Sequence, residues 1–124
     1  MDSKGQHFGY SMSVDAFGCE PVLLGSVELM AKFVRSLVSG IGMRVFRGHN
    51  LRFSIEKYGD SPDNYGITAL CPLWESSITA HCVEAKSELH IDIFSCKHFS
   101  EDVVEMFVKD AFEPDRIKCY FRER

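Results

Sequence analysis

The sequence has little of what marks several small-protein classes. Its five cysteines, Cys19, Cys71, Cys82, Cys96 and Cys119, are odd in number, widely spread and without a C-x-x-C pair. That is poor material for a disulfide framework or a zinc site, and no metal is expected. No apolar run approaches a membrane span, and Met1-Asp2-Ser3-Lys4-Gly5 has no apolar signal core. Positive charge is in the minority, with 14 Lys and Arg against 18 Asp and Glu and a net charge of −4. That balance argues against nucleic acid or an anionic membrane as the main partner. Arg116, Lys118, Arg122 and Arg124 cluster near the C-terminus and read as a solvated strand end. There is no internal repeat at solenoid spacing and no low-complexity tract.

What is present is ordinary globular material. At 124 residues, 45% apolar and 26% charged, the chain reads as one domain over 1–124, reduced and cytoplasmic. Tyr10 to Phe17 alternates as a first strand ended by Gly18. Cys19-Glu20-Pro21 opens a helix whose stripe is Leu23, Val27, Met30, Ala31, Val34, Leu37 and Val38, stopped by Gly40 and Gly42. Met43 to Tyr58 reads as one strand or two pieces broken at Gly48, and Gly59 to Asn64 as a loop. Strands follow at Tyr65 to Leu73, Ser77 to Val83 and Leu89 to Ser95. Ser100 caps a last helix with Val104, Phe107, Val108 and Ala111 as its buried stripe. Glu113-Pro114 ends that helix, and Ile117, Cys119 and Phe121 alternate in a closing strand. The order β-α-β-β-β-β-α-β with hairpin-length connections predicts an α+β fold. Its form is a two-layer α/β sandwich, a mostly antiparallel sheet with two helices packed on one face.

Most local signals have a plain reading. Gly40-Ile41-Gly42 follows a helix and lacks a third glycine, so it is a helix stop and not a dinucleotide fingerprint. Cys96 and His98 have no second tight pair to complete a metal site with His81, His90 or Cys82. Taken singly, Ser76 reads as a turn residue, His81 as a hydrogen-bonded strand residue and Cys96 as a small apolar one. Together they offer a hydroxyl nucleophile, an imidazole and a thiol, the parts of a covalent mechanism. Ser76 directly follows Glu75 where two strands meet, a place for a strained turn. Leu89, Ile91 and Ile93 share one face of their strand, which sends Cys96 to the other face with His90, Asp92 and Phe94.

The run Glu75-Ser76-Ser77-Ile78-Thr79-Ala80-His81-Cys82-Val83-Glu84-Ala85, followed by Asp92-Ile93-Phe94-Ser95-Cys96-Lys97, resembles the small bacterial S-adenosylmethionine decarboxylases. That family carries a run close to E-S-H-L-T-I-H-T-W-P-E and then a segment like D-x-F-T-C-G. The Ser-to-His and His-to-Cys spacings fit without a gap. Asp15-Ala16-Phe17-Gly18-Cys19 with the following helix is similar to the family's start, and the last helix with Arg116 to Arg122 to its end.

The resemblance implies a self-processing proenzyme. Ser76 would attack the Glu75 carbonyl, and His81 would help remove the serine α-proton. Cleavage would then leave a β chain 1–75 and an α chain 76–124 that begins with a pyruvoyl group. Thr68 falls where the family has a serine that assists processing. The pyruvoyl group, the implied covalent cofactor, would form a Schiff base with the substrate amine and act as the electron sink, and Cys96 would be the proton donor. The family's dimers, in which both protomers contribute to each site, imply a homodimer, and the outer sheet face with Phe94 and His90 suits an interface.

Two departures bear on the substrate. The family's adenine-stacking tryptophan is Val83 here, and its ribose-binding glutamate is Ala85. Losing the aromatic platform removes about 1–3 kcal/mol of stacking. Glu84 and Glu88 flank these positions as candidate substrate-binding groups, and Tyr58 or Tyr65 offers another ring. Ser77 replaces a family histidine. The leading expectation is therefore S-adenosylmethionine decarboxylation for polyamine (spermidine) synthesis. The alternatives are an ornithine or arginine decarboxylase, with Glu84, Glu88 or Asp92 facing the distal cation, or a catalytically inactive partner subunit.

Overall fold

A computed structural model describes residues 8–46 and 53–124. It contains strands β1 (Tyr10–Phe17), β2 (Ser54–Tyr58), β3 (Gly66–Pro72), β4 (Ser76–Val83), β5 (Glu88–Ser95) and β6 (Arg116–Glu123). The helices are α1 (Pro21–Leu24), α2 (Val27–Gly40) and α3 (Glu101–Phe112), with a 3-10 turn at Glu84–Lys86. The strands form one sheet in the order β2-β3-β4-β5-β1-β6, and every pairing is antiparallel. The expected α+β sandwich is the observed one.

Two elements differ from the sequence expectation. The first helix is two, because the chain turns at Gly25 and restarts where Ser26 Oγ accepts the Leu29 N–H at 3.1 Å. An N-cap serine creates a start that apolar spacing alone runs through. Among the described residues, the expected strand from Met43 to Tyr58 is regular over Ser54–Tyr58, with an isolated bridge from Val45 to Leu73 upstream. The proposed break at Gly48 lies outside the described residues. At α3 the Ser100 cap holds as expected, its Oγ accepting the Val103 N–H at 3.3 Å. Glu113, left-handed at φ 48°, ends that helix.

The core lies between one face of the sheet and the helices. Met12, Val14 and Ala16 of β1, Ile67, Ala69 and Cys71 of β3, Ile78, Ala80 and Cys82 of β4, and Leu89, Ile91 and Ile93 of β5 are buried at every second position. They pack in one cluster with Met30, Val34 and Leu37 of α2 and Val104, Val108 and Phe112 of α3. Period-two burial on these four strands leaves the alternate residues on an open face, with no layer over it among the described residues. Register aligns that face in rows. One row runs Ser77, Phe94, Ser11, Arg122, and the next Thr79, Asp92, Ser13, Tyr120. A third runs Thr68, His81, His90, Asp15, Lys118.

Candidate active site

β3 and β4 are joined by the two-residue loop Trp74-Glu75, closed by Leu73 N–H to Ser76 O at 2.8 Å and Ser76 N–H to Leu73 O at 3.3 Å. The Glu75–Ser76 peptide bond therefore sits at the tip of a tight hairpin. Neither loop residue has positive φ. Arg44 and Phe46 brace the loop, through Trp74 N–H to Arg44 O at 3.2 Å and Phe46 N–H to Pro72 O at 2.8 Å.

The Glu75 carbonyl receives two hydrogen bonds from one residue. Cys96 lies just past β5, and its backbone N–H reaches Glu75 O at 3.3 Å while its thiol donates to the same oxygen at 3.1 Å. Two features set Cys96 in that position. Ser76 pairs with Ser95 in register, which carries the end of β5 to the hairpin. Ser95 is fully buried, and its Oγ accepts the Lys97 N–H at 2.9 Å, which turns the chain around Cys96. Lys97 then ties this turn to the end of α2 through Nζ to Gly42 O at 2.8 Å.

Ser76 is half-buried, and its hydroxyl donates to Met43 Sδ at 3.5 Å. Its parity matches Ile78 and Ala80, so its side chain leans to the helix side. His81 has the opposite parity and stands on the open face, where Nδ1 and Thr68 Oγ1 are 2.7 Å apart. With Nδ1–H donating to Thr68, Nε2 holds a free lone pair able to take a proton. Five residues of strand separate Ser76 from His81, roughly 17 Å at strand rise. The structure thus gathers Glu75, Ser76 and Cys96 at one end of β4 and Thr68 with His81 at the other. It does not bring the two groups together within one chain.

The candidate substrate residues lie beyond His81. Val83 is buried at 8% exposure, so the position where the family has its stacking ring is closed by an apolar side chain. Glu84 pairs with Lys57 at 3.2 Å, and Lys57 also donates to Gly25 O at 3.1 Å, which turns Glu84 toward the helix side. Glu88 and Asp15 clamp His90, at 3.1 Å to Nε2 and 2.7 Å to Nδ1. Burial disfavours the charged imidazole, but the bonds to Asp15 and Glu88 outweigh it and hold His90 above its ordinary value. Cys96 is exposed, whereas Cys71 and Cys82 are buried. Cys71 is pushed up to about 11 by burial, and Cys82 is raised by burial with its Sγ donating to Leu24 O at 3.2 Å.

Sequence reasoning missed Met43, Ser95 and Lys97. Ser95 carries a readable signal, a hydroxyl at a buried-parity position one residue before Cys96. Met43 has none, because it meets Ser76 across 33 residues. Among the described residues, no group of three or more His, Cys, Asp or Glu could hold a metal ion. No helix among them is long and apolar enough to cross a membrane.

The comparisons with known proteins place this chain among the carboxy-lyases. The profile of the S-adenosylmethionine decarboxylase family matches residues 10–124, and the chain belongs to that family. The adenosylmethionine decarboxylase of Aquifex aeolicus VF5 has a similar solved structure, with a TM-score of 0.74 at 18% identity. The match covers 95% of this chain and 91% of that one. A comparison with curated proteins finds no match.

Proposed function

We propose that the chain is a self-processing, pyruvoyl-dependent decarboxylase acting on S-adenosylmethionine, which supplies aminopropyl groups for polyamine synthesis in the cytoplasm. The observation that carries this reading is the pair of Cys96 donors on the Glu75 carbonyl. Carbonyl attack puts negative charge on that oxygen, and donors already aimed at it stabilise the charge without reorganisation.

In processing, Ser76 Oγ leaves Met43 and attacks the Glu75 carbonyl carbon. The tetrahedral oxyanion is held by the Cys96 N–H and thiol, and its collapse breaks the C–N bond to leave an ester and a free amine. A base then removes the Ser76 α-proton, the Cβ–O bond breaks, and Glu75 departs as a carboxylate. Tautomerisation and hydrolysis of the resulting dehydroalanine release ammonia and leave a ketone at residue 76. His81 Nε2 is the base for the α-proton, oriented by Thr68.

The distance along β4 supports a reading in which this His81 comes from a second chain. A two-fold axis in the plane of the open face, crossing the strands at the level of Thr79 and Asp92, would lay two open faces together. It would carry the Thr68–His81 row of one chain over the Ser77–Phe94 row of the other. The homodimer is thus part of the proposal. Mixing Ser76→Ala and His81→Ala chains tests it, because only the mixture joins an intact Ser76 to an intact His81. Cleavage of the His81→Ala chain should appear on mixing; its absence counts against the shared site.

The pyruvoyl ketone, once formed, supplies an electron sink for loss of carbon dioxide from an amino acid. The residues present fit such a group, since residue 76 lies beside the only exposed thiol among the described residues. In turnover Cys96 Sγ–H delivers a proton to the carbon that has lost carbon dioxide.

A second reading keeps this machinery and changes the substrate to ornithine or arginine. It is favoured by the buried Val83, by Ala85, and by carboxylates on the open face at Asp92 and Glu88. Carbon dioxide release measured in parallel from the three substrates decides between them.

A further inference from the structure

The helix layer carries a cavity of about 320 Å3 in the groove between α2 and α3. That layer packs on the side of the sheet opposite the open face, so a dimer through the open face leaves the groove accessible. One stripe of each helix forms its walls, Lys32, Phe33 and Ser36 on α2 and Phe107, Asp110 and Ala111 on α3. The floor is aromatic. Phe33 and Phe112 are buried and meet edge to face at 4.8 Å. The Phe107 ring closes one end, resting on Gly40, where a Cβ would collide with it. These two contacts run α2 and α3 antiparallel along the groove, which brings Asp110 opposite Ser36. Lys32 stands one turn away, roughly 6 Å along α2. Lys32 and Asp110 are exposed at the rim, and among the described residues neither makes a hydrogen bond or an ion pair.

A partner helix about 10 Å across fills more than this volume in a single turn, so the groove suits a small molecule instead. Its three phenyl rings favour an aromatic body, which packs edge to face on them. Asp110 beside the Ser36 hydroxyl offers acceptors to an ammonium group, and Lys32 offers donors to a carboxylate. The two charges stand on the rim of one apolar cavity, unpaired with each other, and complement a ligand that carries both. We infer that the α2–α3 groove binds a small aromatic zwitterion of the α-amino-acid class. The ligand ring lies on Phe33 and Phe112, its ammonium on Asp110 and its carboxylate on Lys32. The groove is separate from residue 76 and from the open face, and the inference does not rest on the decarboxylase reading.

The test uses the full-length Ser76→Ala chain, which cannot form a pyruvoyl group and so cannot capture an amine covalently. L-Phenylalanine is titrated while amide chemical shifts are followed, alongside phenethylamine, 3-phenylpropanoate and L-alanine. These lack, in turn, the carboxylate, the ammonium and the ring. One saturable site is expected for L-phenylalanine, with shifts confined to α2 and α3, and none for L-alanine. Rim charges stay partly solvated, so each singly charged analogue should bind about two- to fivefold more weakly. Asp110→Asn should erase the preference over 3-phenylpropanoate, and Lys32→Gln the preference over phenethylamine, with thermal unfolding unchanged as the check on folding. No saturable binding, shifts centred on the open face, or any analogue that binds as tightly as phenylalanine overturns the inference. So does a preference that survives its substitution. Concentration-dependent shifts of α2 and α3 without ligand would assign the groove to a second copy and overturn it as well. Intact mass of the unaltered chain tests the functional reading separately. A failed titration leaves self-cleavage untouched, and an unbroken chain leaves this site standing.

Discussion

The two ends of β4 are built from similar parts and used differently. At its start are a hydroxyl, a carbonyl and the thiol of Cys96, which is exposed and aimed at Glu75 O. Near its finish are a hydroxyl, an imidazole and the thiol of Cys82, which is fully buried and donates to the α1 carbonyl of Leu24. Parity explains the thiols. Cys82 shares the core face with Ile78 and Ala80, whereas Cys96 lies one residue past the buried Ser95 and emerges on the other side. Burial raises Cys82 and leaves it a packing residue. The proposed reactive centre draws on both ends, and one chain holds them apart.

Replacements at the two ends should therefore separate chemistry from stability. Ser76→Ala removes the nucleophile, and no cleavage at residue 75 should appear by denaturing gel. His81→Ala should slow cleavage by about 10²–10⁴-fold, the usual contribution of a positioned base. Thr68→Val should cost less, since it only orients the ring, and Thr68→Ser should restore the rate. Cleavage by His81→Ala at the unaltered rate would remove the far end of β4 from the mechanism.

Cys96→Ala should abolish carbon dioxide release and also slow cleavage. The loss of one oxyanion donor costs about 10²–10³-fold elsewhere, and here the Cys96 N–H remains, so the lower end is expected. Cys82→Ala should do the reverse. It leaves the Leu24 carbonyl and the Ile67 N–H without their sulfur partner, at 3.2 and 3.4 Å. About 1–3 kcal/mol of stability should be lost in denaturant unfolding, with the cleavage rate intact.

The smallest effect concerns pH. His90 is raised in the folded chain by Asp15 and Glu88, so its contribution to stability is fully present below the unfolded value of about 6.5. That contribution is lost as pH rises through the folded value. The pair is partly exposed, and the effect is correspondingly modest. His90→Gln should reduce the gain in urea midpoint seen on acidification from about pH 8 to pH 6. An unchanged gain would mean the clamp has no energetic role.

Much of the fold was legible because strand burial has period two and the helix ends carry their own signals. The alternation in β1, β4 and β5 gave the buried face directly, and it also placed Cys96 on the opposite side. The split between α1 and α2 was not legible from spacing, because Leu23, Val27 and Met30 keep helical periodicity across the Ser26 cap. The site was half legible. Motif spacing singled out Ser76, His81 and Cys96 as candidates, and the family resemblance added Thr68, which the structure places beside His81. That spacing did not show how far apart Ser76 and His81 stand, although their odd separation of five residues along one strand places them on opposite faces by parity. Met43 and Lys97 reach the site through the end of α2, a contact that no local pattern encodes.

Intact mass of the purified chain under denaturing conditions tests the central claim most directly. The account predicts two polypeptides, residues 1–75 with an ordinary carboxylate end and residues 76–124 beginning with a pyruvoyl group. A single unbroken chain of 124 residues and 14.1 kDa would contradict it.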